Sequence, residues 1–246
     1  MPGVVNDVNV PFITTDQMRE VDRAMIEDYG ISLVQMMENA GRNLAQLARQ
    51  RFLDGDPRGR RVVVLAGTGG NGGGGLVCAR RLHNWGAYID VLLTSQPAQF
   101  TETPHHQLTI LQRMDISVGV AGDGLDLPPA DLIIDAIIGY SLRGAPTGLA
   151  ASLIRAANAN GAPILALDAP SGVDTSSGSA FEPAIQATAT LTLALPKEGL
   201  RIEEAKACVG ELYLADIGVP PELYSKPPLN LRVANVFARN EIVRLW

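Results

Sequence analysis

Seven glycines stand among the nine residues from Gly67 to Gly75, between an apolar run that ends at Ala66 and a stretch compatible with a helix. Without Cβ atoms, such a segment can adopt positive φ angles and bring backbone N–H groups against a ligand. The helix after it would add unpaired N–H groups and the positive end of its dipole, which favour an anion. The segment therefore predicts a site for a phosphate-bearing ligand, with close backbone packing as the alternative reason for so many glycines.

Asp135 lies in the apolar stretch DLIIDAII at 131–138. Partial desolvation of its carboxylate by these neighbours would raise its pKa towards the range of a general acid or base. Capping of a turn is the alternative role, because Asp is common where strands end. The sequence thus predicts Asp135 as a candidate catalytic residue.

Oxygen-bearing side chains that could bind an ion occur in the same three segments of the sequence. Asp168 and Ser171 lie on either side of Pro170 in LDAPSGVD, where capping of the next segment is again the alternative role. Asn71, Asp135 and Ser171 together offer hard oxygen ligands without any His or Cys. Such ligands suit an alkali or alkaline-earth ion better than zinc or copper.

Several other enzyme classes fit the sequence poorly. Gly67, Gly69 and Gly72 satisfy the G-x-G-x-x-G pattern. The acidic residue that usually ends the second strand is missing, however, because Asp90 falls early in YIDVLLT. An NAD-dependent dehydrogenase is therefore a weaker hypothesis. A P-loop is excluded because no Lys-Ser or Lys-Thr follows the glycines, and a serine-hydrolase elbow because APSGV lacks the first glycine.

The composition of the 246-residue chain is that of an ordinary globular protein, with 46% hydrophobic residues, a net charge of −6 and a pI near 5.1. Nucleic-acid binding is not indicated, since there is no general basic field. The two cysteines lack metal-site spacing and the three histidines show no metal-binding pattern, so we expect a reducing, cytoplasmic setting. No signal peptide or membrane-spanning stretch is indicated, and no membrane association is expected.

The elements that must position these residues alternate between short β-branched runs and helical stretches. Capping boxes at Thr14 and Ser32 predict two helices at the start of the chain, over 15–28 and from Ser32 to about Phe52. Strands that are apolar throughout imply burial on both faces, so the pattern predicts a mostly parallel α/β sheet with helices on both sides. The predicted strands are 61–66, 88–94, 116–120, 131–138, 163–168, 189–195 and 211–216, and the later helices follow the glycine segment and cover 105–114 and 146–160.

No linker or internal repeat divides the sequence. We therefore expect one domain over 1–246, with a flexible arm at 1–12 and a tail without regular structure at 220–246. In open α/β sheets a ligand binds outside the carboxyl ends of the strands. The glycine segment, Asp135 and Asp168 each follow or end a predicted strand, so we expect them on one edge of the sheet.

Six stretches in order carry a family resemblance: TDQMREVDRAMIEDYGISLVQMMENAGR, GTGGNGGGGLVCARRL, DLIIDAIIGYSLRGAPTG, LDAPSGVD, LPKEGL and VGELYLADIGVP. With them the chain resembles the YjeF N-terminal domain family, the NAD(P)HX epimerases. The resemblance implies a three-layer α/β/α, Rossmann-like fold. It also implies interconversion of the R and S forms of hydrated NADH and NADPH at C6 of the nicotinamide ring, a link to a separate NAD(P)HX dehydratase, and a homodimer.

The resemblance also assigns site residues by position. It implies one potassium ion per subunit, held by Asn71, Asp135 and Ser171. The implied substrate contacts are Gly70, Asn71, Gly72, Gly73 and Gly74 in the glycine segment, Gly139, Tyr140, Ser141, Leu142, Arg143, Gly144 and Ala145 in the loop after Asp135, and Asp168.

The glycine segment departs from the family pattern at two positions. Where the family has Asn-Asn-Gly-Gly-Asp, this chain has Gly-Asn-Gly-Gly-Gly at 70–74, so one amide and one carboxylate are missing. Two hypotheses of different class follow. The leading one is an NAD(P)HX epimerase in which Asp135 transfers protons. The other is a non-catalytic nucleotide-ligand-binding or scaffold protein of the same fold, with a degenerate glycine segment.

Overall fold

The computed structural model describes residues 10–122 and 126–246 of the chain. Among these residues no helix is long and apolar enough to cross a membrane. Short 3₁₀ helices cover Pro97–Gln99 and Glu198–Arg201. The strands are β1 (Arg61–Ala66), β2 (Tyr88–Leu93), β3 (Ser117–Val120), β4 (Leu132–Ala136), β5 (Ile164–Leu167), β6 (Ala189–Leu193), β7 (Glu211–Ala215) and β8 (Ile242–Arg244). The α-helices are α1 (Thr15–Glu27), α2 (Leu33–Arg51), α3 (Gly70–Asn84), α4 (Glu102–Arg113), α5 (Gly148–Asn160), α6 (Glu203–Val209) and α7 (Pro221–Ser225).

These strands form one sheet in the order β3-β2-β1-β4-β5-β6-β7-β8. Neighbouring strands are parallel except for β7 and β8, which are antiparallel. The predicted mostly parallel α/β fold is confirmed. Strand order reverses at β1 and β4, which pair directly although β2 and β3 separate them in sequence. Ligands of open α/β sheets bind at such a reversal, outside the carboxyl ends of the strands.

Helices cover both faces of the sheet because its central strands are apolar on both sides. In β1, Val62 and Val64 pack with residues of α2, α3 and α4, whereas Val63 and Leu65 pack with residues of α5. Successive strand residues point to opposite faces, so this alternation places a helical layer on each side. The predicted three-layer arrangement is therefore confirmed.

The first two helices begin where the sequence predicted because their capping boxes form. The Thr14 hydroxyl accepts a hydrogen bond from the Gln17 main-chain N–H at 3.1 Å, and the Gln17 side chain accepts one from the Thr14 N–H at 2.9 Å. Ser32 and Gln35 form the equivalent box before α2. Each box satisfies N–H groups that have no partner inside the helix, which fixes where the helix starts.

Both predicted termini contain more structure than expected. Residues 1–9 of the predicted arm lie outside the described residues, but Ile13 is fully buried and Phe12 stacks on Trp246 with 6.4 Å between ring centroids. The prediction of a tail without regular structure at 220–246 was wrong, since this segment contains α7 and β8. A three-residue strand is too short to produce a recognisable alternation in the sequence, which is why β8 was missed.

Candidate functional site

The glycine segment lies at the reversal of strand order, and most of it is helical. Helix α3 begins at Gly70, so five of the seven glycines fall inside it. No side chain caps its first turn, and the N–H groups there have no partner within the helix. The structure therefore places an open helix N-terminus at the carboxyl edge of the sheet, an arrangement suited to an anion.

Close contacts, rather than unusual backbone angles, explain five of these seven glycines. None of the seven has a positive φ, so the predicted left-handed conformation is wrong. A Cβ on Gly67 would lie 2.0 Å from the main-chain oxygen of Ile137, and one on Gly72 would lie 1.8 Å from that of Gly67. Gly70, by contrast, has only the end of Met37 near it, at 3.8 Å. Three further glycines would place a Cβ 2.5–2.8 Å from a neighbouring side chain, namely Gly73 against Met37, Gly74 against Leu167 and Gly75 against Ala136.

Asp135 and Ser171 meet at the ends of β4 and β5. The Ser171 N–H donates to Asp135 Oδ2 at 2.8 Å, and the Ser171 hydroxyl donates to Oδ1 at 2.6 Å. A third hydrogen bond comes from the Ile137 N–H at 3.2 Å. Asp135 is fully buried, and burial raises its pKa to about 6 although these hydrogen bonds oppose the shift. The pKa of Asp135 is thus close to neutral pH, and both of its carboxylate oxygens already accept hydrogen bonds from the protein.

Asn71, the third predicted ion ligand, lies in the first turn of α3 beside Gly139. A Cβ on Gly139 would lie 3.2 Å from Asn71 Oδ1 and 2.9 Å from Asp168 Oδ2, so both polar groups face this glycine. The Asn71 side-chain nitrogen is buried and has no hydrogen-bond partner among the described residues. Such a group calls for a ligand, ion or water beside it, and rotation of the amide exchanges its oxygen and nitrogen ends.

The donor types of the three predicted ion ligands fit an alkali or alkaline-earth ion better than a transition metal. They are a carboxylate, a hydroxyl and an amide, all hard oxygen donors. In residues 10–122 and 126–246, no cluster of three or more His, Cys, Asp or Glu is arranged to hold a metal. The chemistry of Asn71, Asp135 and Ser171 is therefore compatible with the potassium ion that the sequence resemblance implied.

A cavity of ≈ 280 Å³ opens beside these residues, between α1, α2, the start of α3 and the ends of β5 and β6. Its volume is near the lower end for small-molecule sites, which are mostly apolar with a few polar groups. Asp135 and Ser171 do not line it. The lining residues are Met18, Asp22, Leu33, Met36, Met37, Ala40, Gly70, Asn71, Gly139, Tyr140, Ser141, Leu167, Asp168, Leu193 and Ile217.

The predicted substrate residues divide into those that line this cavity and those that do not. Buried residues of α3 lie beneath its wall, and part of the loop after β4 turns towards solvent or towards an adjoining polar cavity of ≈ 300 Å³ at the start of α1. The roles of the residues outside the cavity stay predictions. Those that line it are Gly70, Asn71, Gly139, Tyr140, Ser141 and Asp168, and those that do not are Gly72, Gly73, Gly74, Leu142, Arg143, Gly144 and Ala145.

Asp168 forms a buried ion pair with Lys197. Lys197 is fully buried, and its ammonium contacts Asp168 Oδ1, the Leu193 carbonyl at 3.0 Å and the Thr192 hydroxyl at 3.3 Å. All three N–H groups of the ammonium therefore have acceptors. Asp168 also has a φ of +67°, a region that residues other than glycine rarely adopt and that occurs at functional sites. The ion pair places the Asp168 carboxylate on the cavity wall, with Lys197 balancing its charge.

The segment before α1 fixes the position of Lys197. The Ile13 N–H donates to the Pro196 carbonyl at 2.8 Å, and the Glu198 N–H donates to the Ile13 carbonyl at 2.9 Å. These two bonds form a parallel bridge between Ile13 and Lys197. The start of α1 and the loop that carries the buried ammonium are thereby joined.

A second carboxylate, Asp22 of α1, reaches the cavity beside Tyr140. The Tyr140 hydroxyl donates to Asp22 Oδ2 at 2.5 Å, and the Tyr140 main-chain N–H donates to Asp168 Oδ2 at 2.9 Å. Burial raises the pKa of Asp22, and the hydrogen bond from Tyr140 and the charge of Lys197 oppose that shift. The cavity wall therefore carries two carboxylates in different electrostatic surroundings.

Sequence reasoning missed Asp22 and Lys197 as site residues. Neither sits in a motif with a distinctive spacing, and a single Asp or Lys on an amphipathic segment is usually solvated. The available signal was indirect, since both occur in stretches that carry the family resemblance, TDQMREVDRAMIEDYG and LPKEGL. Only the packing of α1 against the strand ends shows that they share a cavity with Asp168.

Comparison with known proteins agrees with this architecture. Residues 33–199 match the family described as YjeF-related protein N-terminus. The chain is similar to an NAD(P)H-hydrate epimerase of Dehalogenimonas lykanthroporepellens, with 45% identity over 241 residues that cover 95% of this chain and 92% of the relative. It is also similar to a bifunctional NAD(P)H-hydrate repair enzyme of Moorella thermoacetica, with 35% identity over 94% of this chain and 45% of the longer protein.

A solved structure shares the fold. The crystal structure of the yeast protein ynu0 superimposes with a TM-score of 0.77 over 96% of this chain and 100% of the yeast chain, at 24% sequence identity. At that identity the likeness concerns the fold alone. The family match covers more than half of the chain, and the bacterial epimerase matches nearly all of it. The chain therefore belongs to the family of the YjeF-related protein N-terminus.

Proposed function

We propose that the protein is an NAD(P)H-hydrate epimerase, which interconverts the R and S forms of hydrated NADH and NADPH at C6 of the nicotinamide ring. The observation that carries this proposal is the cavity at the reversal of strand order, where an open helix N-terminus, an apolar wall and the Asp168 carboxylate meet. These features suit a ligand that combines phosphate, hydroxyl groups and a partly apolar ring. The names of the relatives support the same activity.

Each part of the cavity has a role in this proposal. The unpaired N–H groups at Gly70 and Asn71 bind a phosphate oxygen. Met36 and Met37 pack against the ring, since methionine adapts to irregular apolar surfaces. Asp168, which is paired with the buried Lys197, accepts a hydrogen bond from a substrate hydroxyl or amide.

A potassium ion held by Asn71, Asp135 and Ser171 belongs to the proposal as well. When bound, it supplies a positive charge at the edge of the cavity and gives the Asn71 amide a partner. The proton-transfer role of Asp135 stays a prediction. Its carboxylate is enclosed by Ser171 and Ile137 and does not line the cavity, which fits a residue that holds the ion better than one that touches substrate.

The direct test is a chiral chromatographic assay of the purified protein with separated R-NADPHX. We expect the mixture to approach the R/S equilibrium faster than in a protein-free control, and faster in potassium chloride than in an equal concentration of sodium chloride. A rate equal to the spontaneous reaction in both salts would contradict the proposed function.

A non-catalytic nucleotide-binding or scaffold protein is the competing proposal, favoured by the missing polar side chains at positions 70 and 74. Gly70→Asn is the cleaner restoration, because position 70 has open space, whereas a side chain at Gly74 meets Leu167 Cδ2 at 2.8 Å. In an epimerase, Gly70→Asn is expected to lower the KM for NADPHX. In a scaffold protein it would leave binding of NADPHX unchanged.

We further propose that the chain folds as one domain and forms a homodimer in the cytoplasm. The dimer would supply the S form of the substrate to a separate dehydratase. Ile26, Leu33 and Val34 support the dimer, because these apolar side chains are 46%, 37% and 38% exposed around the connection of α1 and α2. The continuous sheet supports one domain, and the bifunctional relatives support the dehydratase link. Light scattering coupled to gel filtration should give twice the monomer mass for the wild type. The Val34→Glu variant should have a lower mass, because the charge weakens the dimer.

A further inference from the structure

Two carboxylates reach the cavity from separate parts of the chain and have different partners. Asp168 follows β5 and is paired with the buried ammonium of Lys197. Asp22 comes from α1, and no salt bridge to it forms within residues 10–122 and 126–246; its partner is the Tyr140 hydroxyl. One carboxylate is therefore neutralised by a cation, and the other is not.

Tyr140 sets the separation between these carboxylates. Its main-chain N–H contacts Asp168 at 2.9 Å and its hydroxyl contacts Asp22 at 2.5 Å, so they lie at opposite ends of one tyrosine. Lys197 Nζ lies 5.8 Å from the centre of the Tyr140 ring. Inverting glycosidases provide a precedent for two carboxyl groups that act from opposite faces of a ring, with a water molecule as the nucleophile.

The surroundings of Asp22 act on its carboxyl in opposing directions. Burial raises the pKa of Asp22, the negative charge of Asp168 acts in the same direction, and Tyr140 and Lys197 act against it. Tyr224 is a further titratable group within reach of Asp22. Asp168, by contrast, has the Lys197 ammonium as a direct ion-pair partner. A carboxyl without a cationic partner beside one that has such a partner is an arrangement suited to an acid and a base.

We propose that Asp22 is a catalytic acid–base residue that acts on the C6 hydroxyl of the hydrated nicotinamide ring, with Asp168 acting from the opposite face. This inference rests on the proposed epimerase function. Asp22 gives its proton to the hydroxyl, the C6–O bond breaks, the lone pair of the ring nitrogen forms a C6=N bond, and water leaves. A water molecule then adds to the other face of C6, the C6=N electron pair returns to nitrogen, and the released proton goes to Asp168. Exchange with solvent restores both groups, and the reverse reaction uses them in the opposite order.

The test compares Asp22→Asn with Asp28→Asn in epimerisation of separated R-NADPHX in ¹⁸O-labelled water. Asp28 is a matched control because it lies at the end of the same helix, is half exposed and pairs with Arg23. Asp22→Asn should lower kcat by about 10²- to 10⁴-fold, as loss of a general acid does, with little change in KM. Asp22→Glu should recover part of the rate, and Asp28→Asn should match the wild type. Each epimerisation by the wild type should place one solvent oxygen at C6.

Tyr140→Phe provides a second measurement, which also applies if Asp22→Asn does not fold. It removes the hydrogen bond that stabilises the ionised form of Asp22, so the pH above which kcat declines should move upwards. An unchanged pH profile would overturn the assignment of Asp22.

The outcomes separate this inference from the proposed function. A wild-type rate equal to the spontaneous one would overturn both. An active wild type with an Asp22→Asn variant whose kcat falls less than about tenfold, well short of a general acid's contribution, would overturn only the role of Asp22. A product that keeps its original oxygen would overturn the hydroxyl-loss step.

Discussion

The same substitution at two glycines of α3, only two residues apart, should have opposite effects on stability. At Gly70, alanine meets nothing closer than Met37 Cε at 3.8 Å, and the helical backbone suits it. Replacing glycine by alanine at such a position stabilises a protein by about 0.4–1 kcal/mol, because the unfolded chain loses freedom. Gly70→Ala should therefore raise the free energy of unfolding by up to about 1 kcal/mol.

At Gly72 the new methyl group has no space. Its Cβ would lie 1.8 Å from the Gly67 oxygen, 2.7 Å from the Gly67 carbonyl carbon and 2.9 Å from the Gly67 nitrogen, all main-chain atoms. Overpacking against side chains that can move costs about 1–3 kcal/mol, and here only backbone can move. Gly72→Ala should cost more than about 3 kcal/mol. Gly73→Ala should fall between the two, because its close neighbour, Met37 Sδ at 2.6 Å, ends a flexible side chain.

Urea unfolding followed by circular dichroism, at one fixed potassium concentration and without substrate, measures all three variants. A change of 1 kcal/mol corresponds to about 2–4 °C in Tm for a protein of this size, so thermal melting gives an independent check. Gly72→Ala with wild-type stability would refute the close-contact explanation of the glycines. So would a Gly70→Ala variant that is destabilised as strongly as Gly72→Ala.

Three further predictions concern charged groups. Lys197→Met should lower the free energy of unfolding at pH 7 by about 3–5 kcal/mol, since Asp168 stays buried without its cation; a urea-unfolding loss below about 1 kcal/mol would contradict the buried pair. Hydrogen bonds from Arg51 lower the pKa of Glu211 from 4.5 to about 2, so this pair stabilises the fold above about pH 4.5 and its contribution is lost as pH falls towards 2. Glu211→Gln should therefore cost about 1 kcal/mol at pH 7, and pH-dependent unfolding should show the difference from wild type shrinking in acid. Asp135→Asn should fold but lose the potassium dependence of epimerisation; an unchanged response to potassium in the chiral assay would show that Asp135 does not hold the ion.

The sequence predicted the sheet well because each strand and each helix start is specified by residues that are close together in the sequence. Each strand from β1 to β7 is a short apolar or β-branched run, and α1 and α2 begin at capping boxes that involve only residues three apart. The meeting of Asp135 and Ser171 was also predictable, since Asp135 lies near the end of β4 and Ser171 follows β5, and the carboxyl ends of these parallel neighbours share an edge.

The glycine segment shows where single-sequence reasoning fails. The absence of a Cβ has two possible causes, a positive φ or a nearby atom, and the sequence alone does not distinguish them. The atom that excludes a Cβ at Gly67 belongs to Ile137, a residue far away in sequence. Asp22 and Lys197 were missed for the same reason, because their shared cavity is a product of long-range packing.

The bridge between Ile13 and Lys197 makes one wall of the cavity depend on the short segment before α1. Local opening of residues 10–14 would break both main-chain hydrogen bonds to the lysine loop while the central strands stay paired, so the support of Lys197 can be lost before the sheet unfolds. Amide exchange at Glu198, whose N–H is bound to Ile13, would report that early event. Inactivation at moderate temperature can thus precede any change in the far-ultraviolet spectrum.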